Sequence, residues 1–316
     1  MPPSSPRPPS TSRRRFLQLA AAVPAAVVAQ TLLPTGLVST ASAVDTPLTS
    51  SGPKKYPIGL ELYSVRGELA KDLPNTLRTV ASFGYEVVEF YAPYFAWTFS
   101  YAKDIRRQLD DLGLHCLSTH NNFPSLNPGS ETMARAVELN QILGTRAIIM
   151  ASPPPNTKTA EDWKRVCDQL STTATQLATH GLTAGFHNHR VEWEPTPEGP
   201  RIMDIIAANT PAEFVLQFDV GTCMEAGADP IAWIKANPGR IRSVHLKDWT
   251  PGKKEEEKAF RVLFGEGISP WKDIVAAAES AGGVEYYLLE QEGSRYPEFE
   301  TARRCLESWR AFRKSS

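Results

Sequence analysis

Eight short apolar runs, each followed by a longer amphipathic stretch, recur through residues 56–312. No other feature restricts the fold of this chain as tightly. The runs occupy 57–63, 86–91, 115–120, 146–151, 182–188, 214–219, 241–247 and 285–291. Each is rich in apolar or β-branched residues and too short for a helix, so each reads as a strand. Helical periodicity fills the intervals at 72–83, 104–112, 131–143, 161–178, 202–208, 231–236, 271–281 and 298–312. In the first of these, Leu73, Leu77, Val80 and Ala81 share one face. Gly84, Gly113, Gly144, Gly181 and Gly282 follow the last apolar residue of a helix, where a departing chain turns left-handed. Eight strand–helix alternations over about 260 residues predict an α/β fold, a (β/α)8 TIM barrel. An open doubly wound sheet is the competitor, but its dinucleotide-binding version lacks the G-x-G-x-x-G that should follow the first strand.

Residues 1–54 do not share this pattern. Ser12-Arg13-Arg14-Arg15-Phe16-Leu17 precedes an apolar run from Leu19 to Val28, and Ala41-Ser42-Ala43 follows. A basic region, an apolar core and an A-x-A site make a secretory signal. The S-R-R-x-F-L order is similar to a twin-arginine export signal, which carries folded proteins. Pro24 and Pro34 interrupt the apolar run, leaving it short of the roughly 20 residues that span a bilayer. The expected organisation is an export signal over 1–43, a linker over 44–54 and a barrel over 55–316. The mature protein is then periplasmic or secreted, with no stable membrane association.

With 316 residues, 41% of them hydrophobic, the chain can bury a full core. Its formal net charge of −1 leaves no electrostatic footprint for nucleic acid or an anionic membrane. Cys116, Cys167, Cys223 and Cys305 form no CxxC and no zinc spacing, and read as small buried hydrophobes.

In such a barrel, functional groups gather at the carboxyl ends of the strands. Glu89, His120, His187, His189, Asp219, His245, Lys247 and Glu290 all fall there. His187 and His189 stand at i and i+2, so an extended chain turns both to one side. Asp219 ends an apolar strand, where a charge is costly to bury unless it is paired, capping or bound to metal. His245 reads as a ligand or a hydrogen-bonded core histidine. Lys247 shares its face, and the neighbouring Asp248 points away and reads as structural. Glu290 shares a face with Glu292, which reads as rim. His120, Glu89 and Arg66 are candidates for contacting substrate hydroxyls. Trp193, with Tyr63 and Phe123, forms either an apolar wall for a stacked ligand or plain packing.

Five motifs in this order carry a resemblance: Gly59-Leu60-Glu61-Leu62-Tyr63-Ser64-Val65-Arg66, Phe186-His187-Asn188-His189, Val244-His245-Leu246-Lys247-Asp248, Gly265-Glu266-Gly267 and Leu289-Glu290-Gln291. Together they resemble the sugar phosphate isomerase/epimerase family of xylose isomerase-like barrels, which includes the inosose dehydratases. The resemblance covers about residues 56–312. It implies one divalent metal ion, commonly manganese with magnesium, cobalt or zinc as substitutes, held by Glu, Asp, His and Glu from the ends of strands five to eight. Asp219, His245 and Glu290 match the last three. Strand five departs from the pattern, because the position falls on His187; His189 or Glu192 takes the role if the strand shifts register.

That departure removes one of the two opposed carboxylate bases that symmetrical epimerisation uses. The implied activity is isomerisation or epimerisation of a small sugar or keto-sugar through an enediolate. Glu290 would take the carbon-bound proton, and Lys247 with His189 or Glu192 would serve the oxygen-bound ones. A β-eliminating lyase on a keto-sugar or inosose shares the first step. A non-catalytic carbohydrate-binding barrel is a further alternative. An abasic-site endonuclease would need more histidines and carboxylates than can be placed here. A homo-oligomer is compatible with all of these readings.

Overall fold

Eight parallel strands close on themselves in the computed structural model, which describes residues 56–252 and 259–315. The expected export signal and linker, and the charged run 253–258, lie outside the described residues. The strands are β1 (Ile58–Glu61), β2 (Val87–Phe90), β3 (His115–Asn122), β4 (Ala147–Ser152), β5 (Thr183–His187), β6 (Val215–Asp219), β7 (Ser243–Leu246) and β8 (Tyr286–Leu289). Each pairs in parallel with the next, and β8 closes on β1 through Gly59 beside Leu288. The chain is therefore a (β/α)8 barrel, not an open sheet.

Around it run α1 (Arg66–Lys71), α2 (Leu73–Phe83), α3 (Phe99–Leu112), α4 (Glu131–Leu143), α5 (Ala160–Ala178), α6 (Ile202–Asn209), α7 (Val220–Glu225), α8 (Pro230–Ala236), α9 (Trp271–Ala277) and α10 (Glu298–Ser315). α3 starts five residues before the expected boundary because the Thr98 side chain accepts the Tyr101 N–H and caps the helix there. α1 and α7 were not expected; both are single short helices in the connections leaving β1 and β6. Gly84 and Gly144 end α2 and α4 with φ of 95° and 75°. Gly282 does not play that part. A π-type turn, Ala278–Gly282, extends α9, and the left-handed residue becomes Gly283. All four cysteines are buried and unpaired.

The period of two along each strand sorts the barrel interior into layers. Small apolar clusters, Val87 with Tyr286 and Leu288, and Ala147 with Ile149 and Val215, fill the end where the strands begin. Two residues further along β2, β6 and β7, the same face carries Glu89, Gln217 and His245. One more step along β6 and β7, and beyond Leu288 on β8, brings Asp219, Lys247 and Glu290. Most of the remaining apolar surface joins the barrel's outer face to the helices in one continuous core.

Candidate metal centre

The carboxyl ends of β5 to β8 bring one oxygen or nitrogen each from His187, Asp219, His245 and Glu290 within 4.8 Å of one another, and all four residues are buried. Local structure fixes each of them. Asp219 caps α7 by accepting the Thr222 N–H at 2.9 Å through Oδ1, leaving Oδ2 for the cluster. Asn188, on the opposite side of β5 from His187, ties the two strand ends together. Its amide donates to the Asp219 carbonyl at 3.0 Å and its carbonyl accepts the Asp219 N–H at 2.9 Å. Gly221 permits the close approach of β7: a Cβ there would stand 2.7 Å from the Lys247 carbonyl oxygen. Asp248 accepts the Gly265 and Gly267 N–H groups and the Trp271 indole N–H, each at 2.9–3.0 Å. The Gly265-Glu266-Gly267 motif thus belongs to the loop folded on Asp248.

Charge pairing holds the cluster together. His245 Nδ1 lies 2.6 Å from Glu290 Oε2. Lys247 Nζ reaches Asp219 Oδ2 at 2.8 Å, Glu292 at 2.9 Å and Glu290 Oε1 at 3.2 Å. Burial works against both cations, but Glu89 and Glu290 hold His245 up to about 10, and Asp219, Glu290 and Glu292 hold Lys247 well above the usual amine range. Burial likewise opposes ionisation of Glu290, and Lys247 and His245 reverse it, so its carboxyl is lowered. His187 is the exception: burial and the neighbouring His120 and His245 push it well down, so it is neutral.

Over the cluster opens a cavity of about 620 Å³. His120, His187, His189 and Glu290 line its floor and sides, with an aromatic wall of Tyr63, Tyr91 and Phe95. His189 sits just past β5, its ring 5.0 Å from that of His187; burial and then Lys247 hold it down to about 4. His120 hydrogen-bonds Gln217 at 2.7 Å.

Five expected residues take other positions. Glu89 is not at the rim but in the barrel's floor, fully buried between His120 and His245. Arg66 donates to the carbonyls of Tyr63 and Glu292, both at 2.9 Å, and stacks on Tyr63; it clamps β1 to β8 and does not line the cavity. Trp193 packs outside the barrel against Phe218 and Trp233, 4% exposed, and faces no substrate space. Phe123 opens on a separate groove. Glu192 is buried, and its Oε2 accepts the His189 N–H at 2.7 Å, capping the turn after β5. A register shift bringing Glu192 into the cluster does not occur, since β5 ends at His187.

Two residues were not foreseen. Gln217 stands one inward step before Asp219, and its polar side chain in Val215-Leu216-Gln217-Phe218 was the available signal. Glu61 occupies the equivalent place in Gly59-Leu60-Glu61. It is buried yet lines the cavity, its Oε1 has no hydrogen-bond partner, and burial lifts its carboxyl to about 8.

The donors fit a divalent ion. Asp219 Oδ2 is buried with the Lys247 ammonium 2.8 Å away, so a cation already sits against the oxygen that would face an ion. Two imidazoles and two carboxylates are a donor set that zinc, cobalt or manganese accepts. The class so defined is a closed eight-stranded parallel barrel with a buried His/Asp/His/Glu cluster at its carboxyl end. The model of the xylose isomerase-like TIM barrel family matches residues 77–312, and the chain belongs to that family.

An inosose dehydratase of Mesomycoplasma hyopneumoniae (strain 7448) is 24% identical over 234 residues, 73% of this chain and 71% of the relative. A sugar phosphate isomerase/epimerase from Parabacteroides distasonis shares the fold with a TM-score of 0.69 at 23% identity, covering 83% of this chain and 96% of that one. A structure of IOLI protein with a bound zinc atom matches at a TM-score of 0.61 and 14% identity, covering 80% and 97%.

Proposed function

We propose that this chain is a divalent-metal-dependent isomerase or epimerase of a small, uncharged sugar or keto-sugar, acting by proton removal next to a carbonyl. The observation that carries the reading is the His187–Asp219–His245–Glu290 cluster at the base of a cavity large enough for a sugar. The relatives and structural neighbours named as dehydratase and isomerase/epimerase support it, as does the zinc-bound neighbour. An ion held by those four residues supplies Lewis-acid neutralisation of charge developing on a substrate oxygen. The wall of Tyr63, Tyr91 and Phe95 offers a sugar ring its apolar face. Glu61, Glu290 and Glu292 line the same space, and among the described residues no Lys or Arg does, so a neutral polyol suits it better than a phosphate ester.

Proton traffic follows from the side chains. Glu290 has both oxygens engaged, by His245 and Lys247, and its lowered carboxyl makes it a ligand and a weak base. His189 is neutral at pH 7 and opens on the cavity, so in this proposal it takes the carbon-bound proton. Glu61, protonated at neutral pH, returns a proton from the β1 side. Lys247 is an ammonium held by three carboxylates and acts by charge, not as a nucleophile.

A β-eliminating lyase is the second reading. A protonated carboxyl such as Glu61 is what departure of a β-hydroxyl requires, and the dehydratase name among the relatives agrees. Export belongs to the same proposal and rests on the segment 12–43; fractionating cells that express the full chain tests it.

Incorporation of solvent deuterium into a panel of neutral ketoses and keto-glycosides, with and without chelator, tests the activity. Metal-dependent exchange that falls roughly 10²–10⁴-fold in His189→Gln is expected. Appearance of a conjugated enone absorbance alongside it selects the lyase. Exchange indifferent to chelator, or none across the panel with metal present, contradicts the reading.

A further inference from the structure

Beneath the cluster lies a network that the proposed reaction does not use directly. Glu89 Oε1 accepts hydrogen bonds from the Ser118 hydroxyl and, at 2.8 Å, from the Gln217 side-chain N–H. Gln217 Oε1 in turn lies 2.7 Å from His120 Nε2 and 3.1 Å from His187 Nδ1. Glu89 Oε2 stands 2.9 Å from His245 Nε2 and 3.0 Å from His120 Nε2, too oblique for a directed hydrogen bond to either.

An ionised carboxylate only accepts, so the amide of Gln217 must turn its NH2 toward Glu89 and its oxygen toward the imidazoles. Both imidazoles must then donate. His187 therefore carries its proton on Nδ1, and its Nε2, 3.8 Å from Asp219 Oδ2, keeps the lone pair that a metal needs. His245 differs: it has a carboxylate at each nitrogen, Glu89 at Nε2 and Glu290 2.6 Å from Nδ1, so both nitrogens carry protons in the metal-free protein and an ion would take the place of the Nδ1 proton.

From this geometry we propose that Glu89 and Gln217 are positioning residues: a carboxylate–amide relay in the barrel floor that sets the tautomer of His187 so that its Nε2 presents a lone pair to a divalent ion. This explains how an imidazole can serve on strand five. A carboxylate there would need no tautomer control, whereas His187 with the opposite tautomer would point an N–H at the ion. The inference rests on the metal reading of the cluster, yet tautomers can be read without any ion.

The test uses the full chain, freed of metal, and its Glu89→Gln variant. A neutral amide at 89 can donate as well as accept, so Gln217 is released to rotate. Long-range 1H–15N spectra of the histidines give the tautomers, and competition against a chromophoric chelator gives the Mn2+ and Zn2+ affinities. Wild type should show His187 protonated on Nδ1. In Glu89→Gln the opposite tautomer should appear and affinity for both ions should fall about 10–100-fold. Glu89→Asp, still acceptor-only, should keep the wild-type tautomer. If Glu89→Gln does not fold, Gln217→Met removes the acceptor of both imidazoles and should produce the same pair of changes.

A wild-type His187 protonated on Nε2 overturns the proposal. So does an affinity loss with unchanged tautomers, or unchanged affinity in a folded variant. Wild type that binds neither ion, with the expected tautomers present, instead removes the metal reading and leaves the relay a structural device without a ligand.

Discussion

Replacing Lys247 with methionine keeps the volume of the buried side chain and removes its charge. At an effective dielectric of about 20, unit charges at the 2.8 Å that separates Lys247 from Asp219 attract by about 6 kcal/mol, and at the 3.2 Å to Glu290 by about 5. The ammonium's lost hydration offsets much of that. What the substitution exposes is chiefly the cost of leaving Asp219 and Glu290 buried without a cation, about 3–5 kcal/mol. For a domain of this size the metal-free variant should melt on the order of 10 °C below wild type.

A divalent ion among the same carboxylates changes the comparison. At about 1,000 times its Kd it adds about 4 kcal/mol to whichever protein binds it. It should bind Lys247→Met roughly 10–70-fold more tightly, a difference of about 1.5–2.5 kcal/mol, because the ammonium no longer competes for Asp219 Oδ2. Melting both proteins by calorimetry in chelator and in excess Mn2+ reads the effect. The gap should be wide in chelator and shrink by at least half with the ion. A variant as stable as wild type in chelator, or a gap that the ion leaves unchanged, refutes the idea that lysine and metal neutralise one set of carboxylates.

Two further outcomes follow. Glu192 is buried and its carboxyl is raised from 4.5 to about 7, chiefly by burial. A raised carboxyl contributes stability that is fully present below pH 4.5 and lost as pH rises through 7, here about 3 kcal/mol. Relative to wild type, Glu192→Gln should therefore gain stability across that window in denaturant titrations, and parallel curves would contradict it. Trp193→Ala should lower stability by about 3–5 kcal/mol through the lost packing on Phe218 and Trp233. A tryptophan that stacked on sugar would instead leave the unfolding midpoint in place and weaken ligand binding.

The alternation of strands and helices was plain in the sequence because a period of two and a period of 3.6 are local properties. The strand ends that carry Asp219, His245 and Glu290 were plain for the same reason. Depth inside the barrel was not. Glu89 and Glu290 both read as polar residues near the end of a strand, yet one lies in the floor and the other beside the cavity. Which layer a residue joins depends on how neighbouring strands stagger on closure, a tertiary property. Gln217 escaped notice because an amide between apolar neighbours looks inert until its two imidazole partners, from β3 and β5, are in place. Arg66 and Trp193 have side chains that could serve a mouth or a scaffold equally well. Contacts from distant segments, Glu292 and Trp233, decided for the scaffold.

Anomalous scattering from crystals grown with Mn2+ or Zn2+ addresses the metal centre most directly. One peak should appear about 2.0–2.3 Å from His187 Nε2, Asp219 Oδ2, His245 Nδ1 and Glu290. A peak held instead by Glu61, Glu89 and His120, or none at saturating ion, would mean that the four residues gather for a purpose other than holding a metal.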